Sequence, residues 1–140
     1  MLKVLVAVDG SEPSLRAVRY AVALAAEARS SELELLNVQP PLPAAVTDWV
    51  SAQDVRSFHV DTGIAALREA KVILDAAAIP YNSHVAVGPI AETIADHAEE
   101  RGCDQIVMGR RGLHPLPGIL LGSVTIQILH LAKIPAIAVK

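Results

Sequence analysis

Five short apolar runs, alternating with four helix-length stretches, leave this chain few folds to adopt. The runs are 4–8, 33–38, 81–87, about 104–108 and 135–139. The first, Val4-Leu-Val-Ala-Val8, is continuously apolar, which suits a strand covered on both faces. The third, Tyr81 to Val87, is more polar and suits a sheet edge. Helices are predicted at about 13–29 and 53–78. A third is opened by Gly88-Pro89 and stopped at Arg101-Gly102, and a fourth spans about 122–132. Ser11 is placed to cap the first helix, and Pro13 is tolerated in a first turn. The inward stripes are Leu15, Val18, Val22 and Ala26, then Ile64, Leu67, Ala70 and Leu74, then Ile90, Ile94 and Ala98. Gln39-Pro-Pro-Leu-Pro43 can extend neither a ladder nor a helix, so a loop is expected to about residue 52, with Trp49 covering apolar surface.

The alternation βαβαβαβαβ implies an open, parallel five-stranded sheet with right-handed crossovers and helices on both faces. The two driest runs, the first and fourth, belong at its centre. Winding outward through strands two and three, then returning, gives the order 3-2-1-4-5. Ligands of such sheets bind where the winding reverses, outside the carboxyl ends of the strands. Asp9 ends strand one and Gly109 ends strand four, so the two should flank one crevice.

Between strand four and the last helix runs Gly109-Arg-Arg-Gly112-Leu-His-Pro-Leu-Pro-Gly118-Ile-Leu-Leu-Gly122-Ser123-Val124-Thr125. Glycine lets backbone approach an anion closely, and the unpaired N–H groups of a first helical turn favour negative charge. Gly109, Gly112 and Gly122 read as close-approach positions. Ser123, Val124 and Thr125 offer N–H groups, and Ser123 could equally be a simple helix cap. Arg110 and Arg111 suit either phosphates or solvent. Asp9 suits either a ligand anchor or a turn. Pro115 and Pro117 stiffen the loop, which either preforms a phosphate pocket or obstructs it.

The spacing Gly-x2-Gly-x9-Gly-Ser does not stand alone. Val6-Ala-Val-Asp9-Gly-Ser-Glu12, Leu35-Leu-Asn-Val38, Asp104-Gln-Ile-Val-Met-Gly109 and Ile134-Pro-Ala-Ile-Ala-Val139 accompany it in order. The set resembles the nucleotide-binding signature of the universal stress protein A family, over essentially the whole chain. The resemblance implies one domain over 1–140, Rossmann-like and adenine nucleotide alpha hydrolase-like. It implies an adenine-nucleotide-binding stress-response protein taking ATP, or AMP or ADP, with Mg2+ or Mn2+. The nucleotide-binding residues it implies are Ala7, Asp9, Val38, Met108, Gly109, Arg111, Gly112, Gly122, Ser123, Val124 and Thr125. Main chain near Val38 would read the adenine, and Asp9 would lie near a nucleotide-bound cation. The chain departs from the family pattern in its proline-containing loop centre, and in Ile126-Gln127 where a charged residue is more usual.

Composition narrows the remaining alternatives. Aromatics are only 3% of a chain that is 52% hydrophobic, so the core must be built from Ala, Val, Leu and Ile. A net charge of −3 gives no whole-chain basic bias toward nucleic acid. No apolar run reaches membrane-spanning length, and no leader pattern precedes the first strand. One cysteine, Cys103, permits no internal disulfide, and a cytoplasmic protein is expected. No two of the five histidines, nor any with Cys103, stand at metal-ligand spacing, so they read as surface or packing residues with no protein metal cage. No Gly-Lys-Ser/Thr, catalytic base or nucleophile is visible, so at most slow ATP hydrolysis is expected. The rivals are an interaction module of the same fold that binds no nucleotide, and a weak nucleotide hydrolase or nucleotidyl transferase. The last strand starts with Pro135 and has only Lys140 as a guard, so a homodimer through 135–139 is expected, with Ile137 near the dyad.

Overall fold

The computed structural model describes residues 1–112 and 121–140. The elements are β1 (Leu2–Ala7), α1 (Glu12–Glu27), β2 (Ser31–Gln39), α2 (Ala44–Thr47), α3 (Ala52–Ala76), β3 (Tyr81–Val87), α4 (Ile90–Glu100), β4 (Gln105–Gly109), α5 (Ser123–Leu131) and β5 (Ala136–Val139). All the pairings are parallel, and the strand order is β3-β2-β1-β4-β5. This is the sheet expected from the alternation. The Pro115 and Pro117 reading and His114 lie outside the described residues.

Successive strand residues point to opposite faces, and the chain fills both with aliphatic side chains. Val4, Val6, Leu33 and Leu35 pack with Leu15 and Val18 of α1 and Leu67 and Leu74 of α3. Leu5, Leu36 and Ile106 pack on the other face with Ile94 of α4 and Ile128 of α5. The longest buried run is in β2, whose last seven residues are all buried although they include Glu34, Asn37 and Gln39. Dryness of sequence therefore understated how central this strand is.

Two glycines let helices approach strands closely. A Cβ at Gly63 of α3 would lie 2.4 Å from Val85 Cγ2 of β3, and one at Gly109 would lie 2.7 Å from the carbonyl carbon of Pro13. The contact at Gly63 turns α3 so that His59, Gly63, Leu67, Ala70 and Leu74 face inward. Ile64, expected inward, is 48% exposed, and Ala26 in the last turn of α1 is exposed as well. Trp49, expected to cover apolar surface, is 87% exposed beyond α2. The four-residue α2 turns the chain too soon for this ring to reach a strand face.

The helices α3 and α4 end in the same backbone motif. After α3, Ile79 N–H donates to Leu74 O and Ala78 N–H to Asp75 O, with Ala78 at φ +55°. After α4, Cys103 N–H donates to Ala98 O and Gly102 N–H to Glu99 O, with Gly102 at φ +65°. These left-handed caps satisfy the last helical carbonyls and turn the chain into β3 and β4.

Candidate functional site

The carboxyl ends of β1 and β4 part at the point where the winding reverses, and a crevice of about 1010 Å3 opens there. That is the upper end of the range for small-molecule sites. All eleven residues singled out from sequence line this one crevice: Ala7 and Asp9 after β1, Val38 from β2, Met108 and Gly109 from β4, Arg111 and Gly112 from the glycine segment, and Gly122, Ser123, Val124 and Thr125 at the start of α5.

Asp9 shapes its own turn. Oδ1 accepts from the Ser11 N–H at 2.9 Å and from the Ser11 hydroxyl. The Ser11 hydroxyl oxygen also accepts from Ser14 N–H at 3.3 Å, capping α1. Gly10 in this turn has φ +84°, a conformation that glycine takes without a steric cost. The other carboxylate oxygen, Oδ2, lies against Gly112, where an added Cβ would come within 3.0 Å of it. The turn thus uses one carboxylate oxygen and leaves the other facing Gly112.

The start of α5 is built mostly from backbone. Gly122 is its N-cap, so Ser123 is the first helical residue and not the cap. No side chain caps this end among the described residues. Gly122 N–H donates to Arg110 O at 2.7 Å, tying the two ends of the glycine segment together. The Thr125 hydroxyl, buried, donates to Gly109 O at 3.0 Å and locks α5 to the end of β4. An added Cβ at Gly122 would stand 3.3 Å from Arg111 Cα. The Nε atoms of Arg110 and Arg111 are covered and find no acceptor among the described residues. Such an arrangement presents N–H groups and the Arg111 guanidinium to an anion, whereas Arg110 does not line the crevice.

The opposite wall was not foreseen. Asn37 Nδ2 donates to Val8 O at 2.9 Å, Gln39 Nε2 donates to His59 O at 2.7 Å, and His59 Nδ1 lies 2.9 Å from Gln39 Oε1. This buried network pins α3 to β2, and with Pro40 to Pro43, Phe58 and Thr62 it lines the crevice. The available signal was the pair of amides, Asn37 and Gln39, closing an otherwise apolar strand. Among the described residues no helix is long and apolar enough to cross a membrane.

Comparison with known proteins agrees with this fold. The universal stress protein family model matches residues 1–140. The chain is 31% identical to the universal stress protein YxiE of Bacillus subtilis, covering 99% of this chain and 98% of that one. Among solved structures, hypothetical protein MJ0577 superposes with a TM-score of 0.85 at 26% identity, covering 99% and 95% of the two chains. A universal stress protein in complex with cAMP superposes with a TM-score of 0.75 at 30% identity, covering 99% and 97%.

Proposed function

The chain belongs to the universal stress protein family, and on that premise we propose that it binds an adenine nucleotide in the crevice between β1 and β4. ATP with Mg2+ or Mn2+ is the ligand of this reading, and AMP or ADP would use the same walls. The observation that carries it is the start of α5: three helical N–H groups without a side-chain cap, held by a glycine segment against a crevice of ligand size. The 30% identical relative in complex with cAMP supports the adenine class. The residues fit the group. A Cβ at Gly122 would crowd the backbone that phosphates need, and the covered Arg111 Nε lacks an acceptor among the described residues.

In this reading Ser123, Val124 and Thr125 hold phosphate through backbone N–H groups. Main chain at Val38 meets the adenine between Ala7 and Met108. Asp9 Oδ2 faces the cation, whose charge would offset the carboxylate's repulsion of phosphate. The protein acts by holding nucleotide and signalling its presence, and the reading requires no turnover. Residues 1–140 work as one such domain, in the cytoplasm, and as a homodimer joined through the edge strand β5.

Isothermal calorimetry with ATP and Mg2+ tests the site. Gly122→Val is expected to weaken binding at least about tenfold, or ~1.4 kcal/mol, while far-UV circular dichroism stays native. Equal affinity in the two proteins would place any nucleotide elsewhere. Absence of binding by the wild type would favour an interaction module of the same fold.

A further inference from the structure

A second polar centre lies at the other end of the sheet. Glu34 sits in the interior of β2 with a relative exposure of 0%, on the face that carries Leu36 and Val38. Its register neighbours are Leu5 of β1 and Asn82 of β3. A carboxylate buried in mid-sheet is costly unless it is compensated, and the crevice makes no use of it. Glu34 to Val38 spans four residues of strand, so the two sites are about 13 Å apart.

Around Glu34 the fold gathers side chains that are scattered in sequence. His84 Nε2 from β3 lies 2.7 Å from Glu34 Oε2. Arg101 Nη2 from the end of α4 lies 3.1 Å from Oε1 and 3.4 Å from Oε2. Asn82 Nδ2 donates to Oε1 at 3.2 Å, and Lys3 Nζ stands 3.8 Å away. His97 of α4 packs its ring 5.0 Å from that of His84, centroid to centroid. The ligand atoms of Glu34, His84 and His97 all lie within 4.8 Å of one another. Spacing alone had assigned these histidines to surface or packing.

Two features do not close as a plain ion pair. His84 Nε2 meets the carboxylate and also Arg101 Nη2, at 3.2 Å. A ring nitrogen bearing hydrogen serves the carboxylate and opposes the guanidinium, and one without hydrogen does the reverse. In addition, His97 Nε2 is covered and has no hydrogen-bond partner among the described residues. Arg101 itself is 40% exposed and engages through one nitrogen only, not the bidentate fork that makes Arg–carboxylate pairs strong.

We propose that Glu34, His84 and His97 form a binding site for a divalent transition metal of the Zn2+ class, with Arg101 holding the carboxylate until the ion replaces it. Two imidazole nitrogens and one carboxylate oxygen are borderline donors that suit Zn2+ over Mg2+ or Ca2+, and they leave a position for water. Tetrahedral Zn2+ sets its ligand atoms about 3.3 Å apart. The Glu34–His84 pair, at 2.7 Å, has to open by about 0.6 Å to admit the ion, and His97 has to draw in from within 4.8 Å. The ion resolves the conflict at His84, since a lone pair on Nε2 then faces positive charge. Burial, with His84 and Arg101 nearby, holds the His97 imidazole below its usual range. The released Arg101 swings to solvent, next to the C-terminus of α4.

The test uses tag-free full-length protein without nucleotide, so its result is independent of the crevice. Zn2+ is titrated by calorimetry, and Co2+ by its visible absorption, which reports nitrogen and oxygen ligation directly. One ion per chain is expected. His84→Gln and His97→Gln should weaken binding at least tenfold, whereas His130→Gln on α5 should not. Arg101→Ala removes the competing cation and should bind Zn2+ at least tenfold more tightly, with a larger Zn2+-induced rise in Tm. That gain cannot come from misfolding. Unchanged affinity in His97→Gln, or no binding by either wild type or Arg101→Ala, would overturn the proposal and leave a structural ion network.

Discussion

Asp9 divides its carboxylate, with Oδ1 closing the turn into α1 and Oδ2 facing Gly112 across the crevice. Asp9→Asn keeps a turn acceptor and removes the charge. The expected result is a loss of about tenfold in affinity for ATP with Mg2+, about 1.4 kcal/mol, with little change for metal-free AMP or in Tm. A large fall in Tm with unchanged affinity would reduce Asp9 to a turn residue. Asp9 was legible because Asp-Gly-Ser after an apolar run is a local signal, and so were the glycines before α5. Of the two readings of Ser123 only the cap falls away, because Gly122 takes that position and Ser123 is already helical. The Asn37–Gln39–His59 network was illegible for a different reason. Its partners lie on β2 and α3, and only packing fixes which amide meets which carbonyl. Glu34 was illegible in the same way.

At the scale of elements, α3 and α4 end in the same hydrogen-bonded motif with different residues at the left-handed position. Gly102 fills it without a steric cost, whereas Ala78 carries a Cβ at φ +55°. The left-handed conformation costs an L-residue about 1–2 kcal/mol, and glycine returns part of that as extra freedom in the unfolded chain. Ala78→Gly is therefore expected to stabilise the protein by about 0.5–1 kcal/mol, seen as a higher urea midpoint with unchanged slope. A lower midpoint would show that the motif bears no strain. Strands and helices were read correctly from periodicity, since long patterned segments signal themselves. The face of α3 was not, because Gly63 reads as a weak helix former until Val85 is seen against it. The short α2 was also missed, since four residues after a proline run carry no period.

For the whole molecule, strand order followed from dryness and crossover rules alone, and it put the crevice where the winding turns. Assembly is argued from the edge. Ile106 N–H donates to Pro135 O and Arg110 N–H to Val139 O, so by alternation the N–H and C=O of Ala136 and Ala138 point away from the sheet. Ile137 packs its side chain on the α1 face, so charging it would injure the core as well as any interface. Ala138→Pro deletes one outward donor and leaves the ladder to β4 intact. Light scattering at micromolar concentration is expected to show a dimer for the wild type and a monomer, or a dimer at least about tenfold weaker (~1.4 kcal/mol), for Ala138→Pro. An intact dimer in the variant would move the interface off β5. The central place of β1 has a further consequence, in time. Its inner neighbour β2 follows at once, but its other neighbour, β4, begins only at Gln105, and the Lys3–Asp104 hydrogen bond spans 101 residues. At a synthesis rate of about 5–20 residues per second, that partner arrives roughly 5–20 s after β1 has been made. Through that interval Val4, Leu5 and Val6 offer a dry, unpaired edge that a strand of another nascent chain on the same message can fill. The order of strands thus makes the early life of each molecule a wait for its own C-terminal quarter.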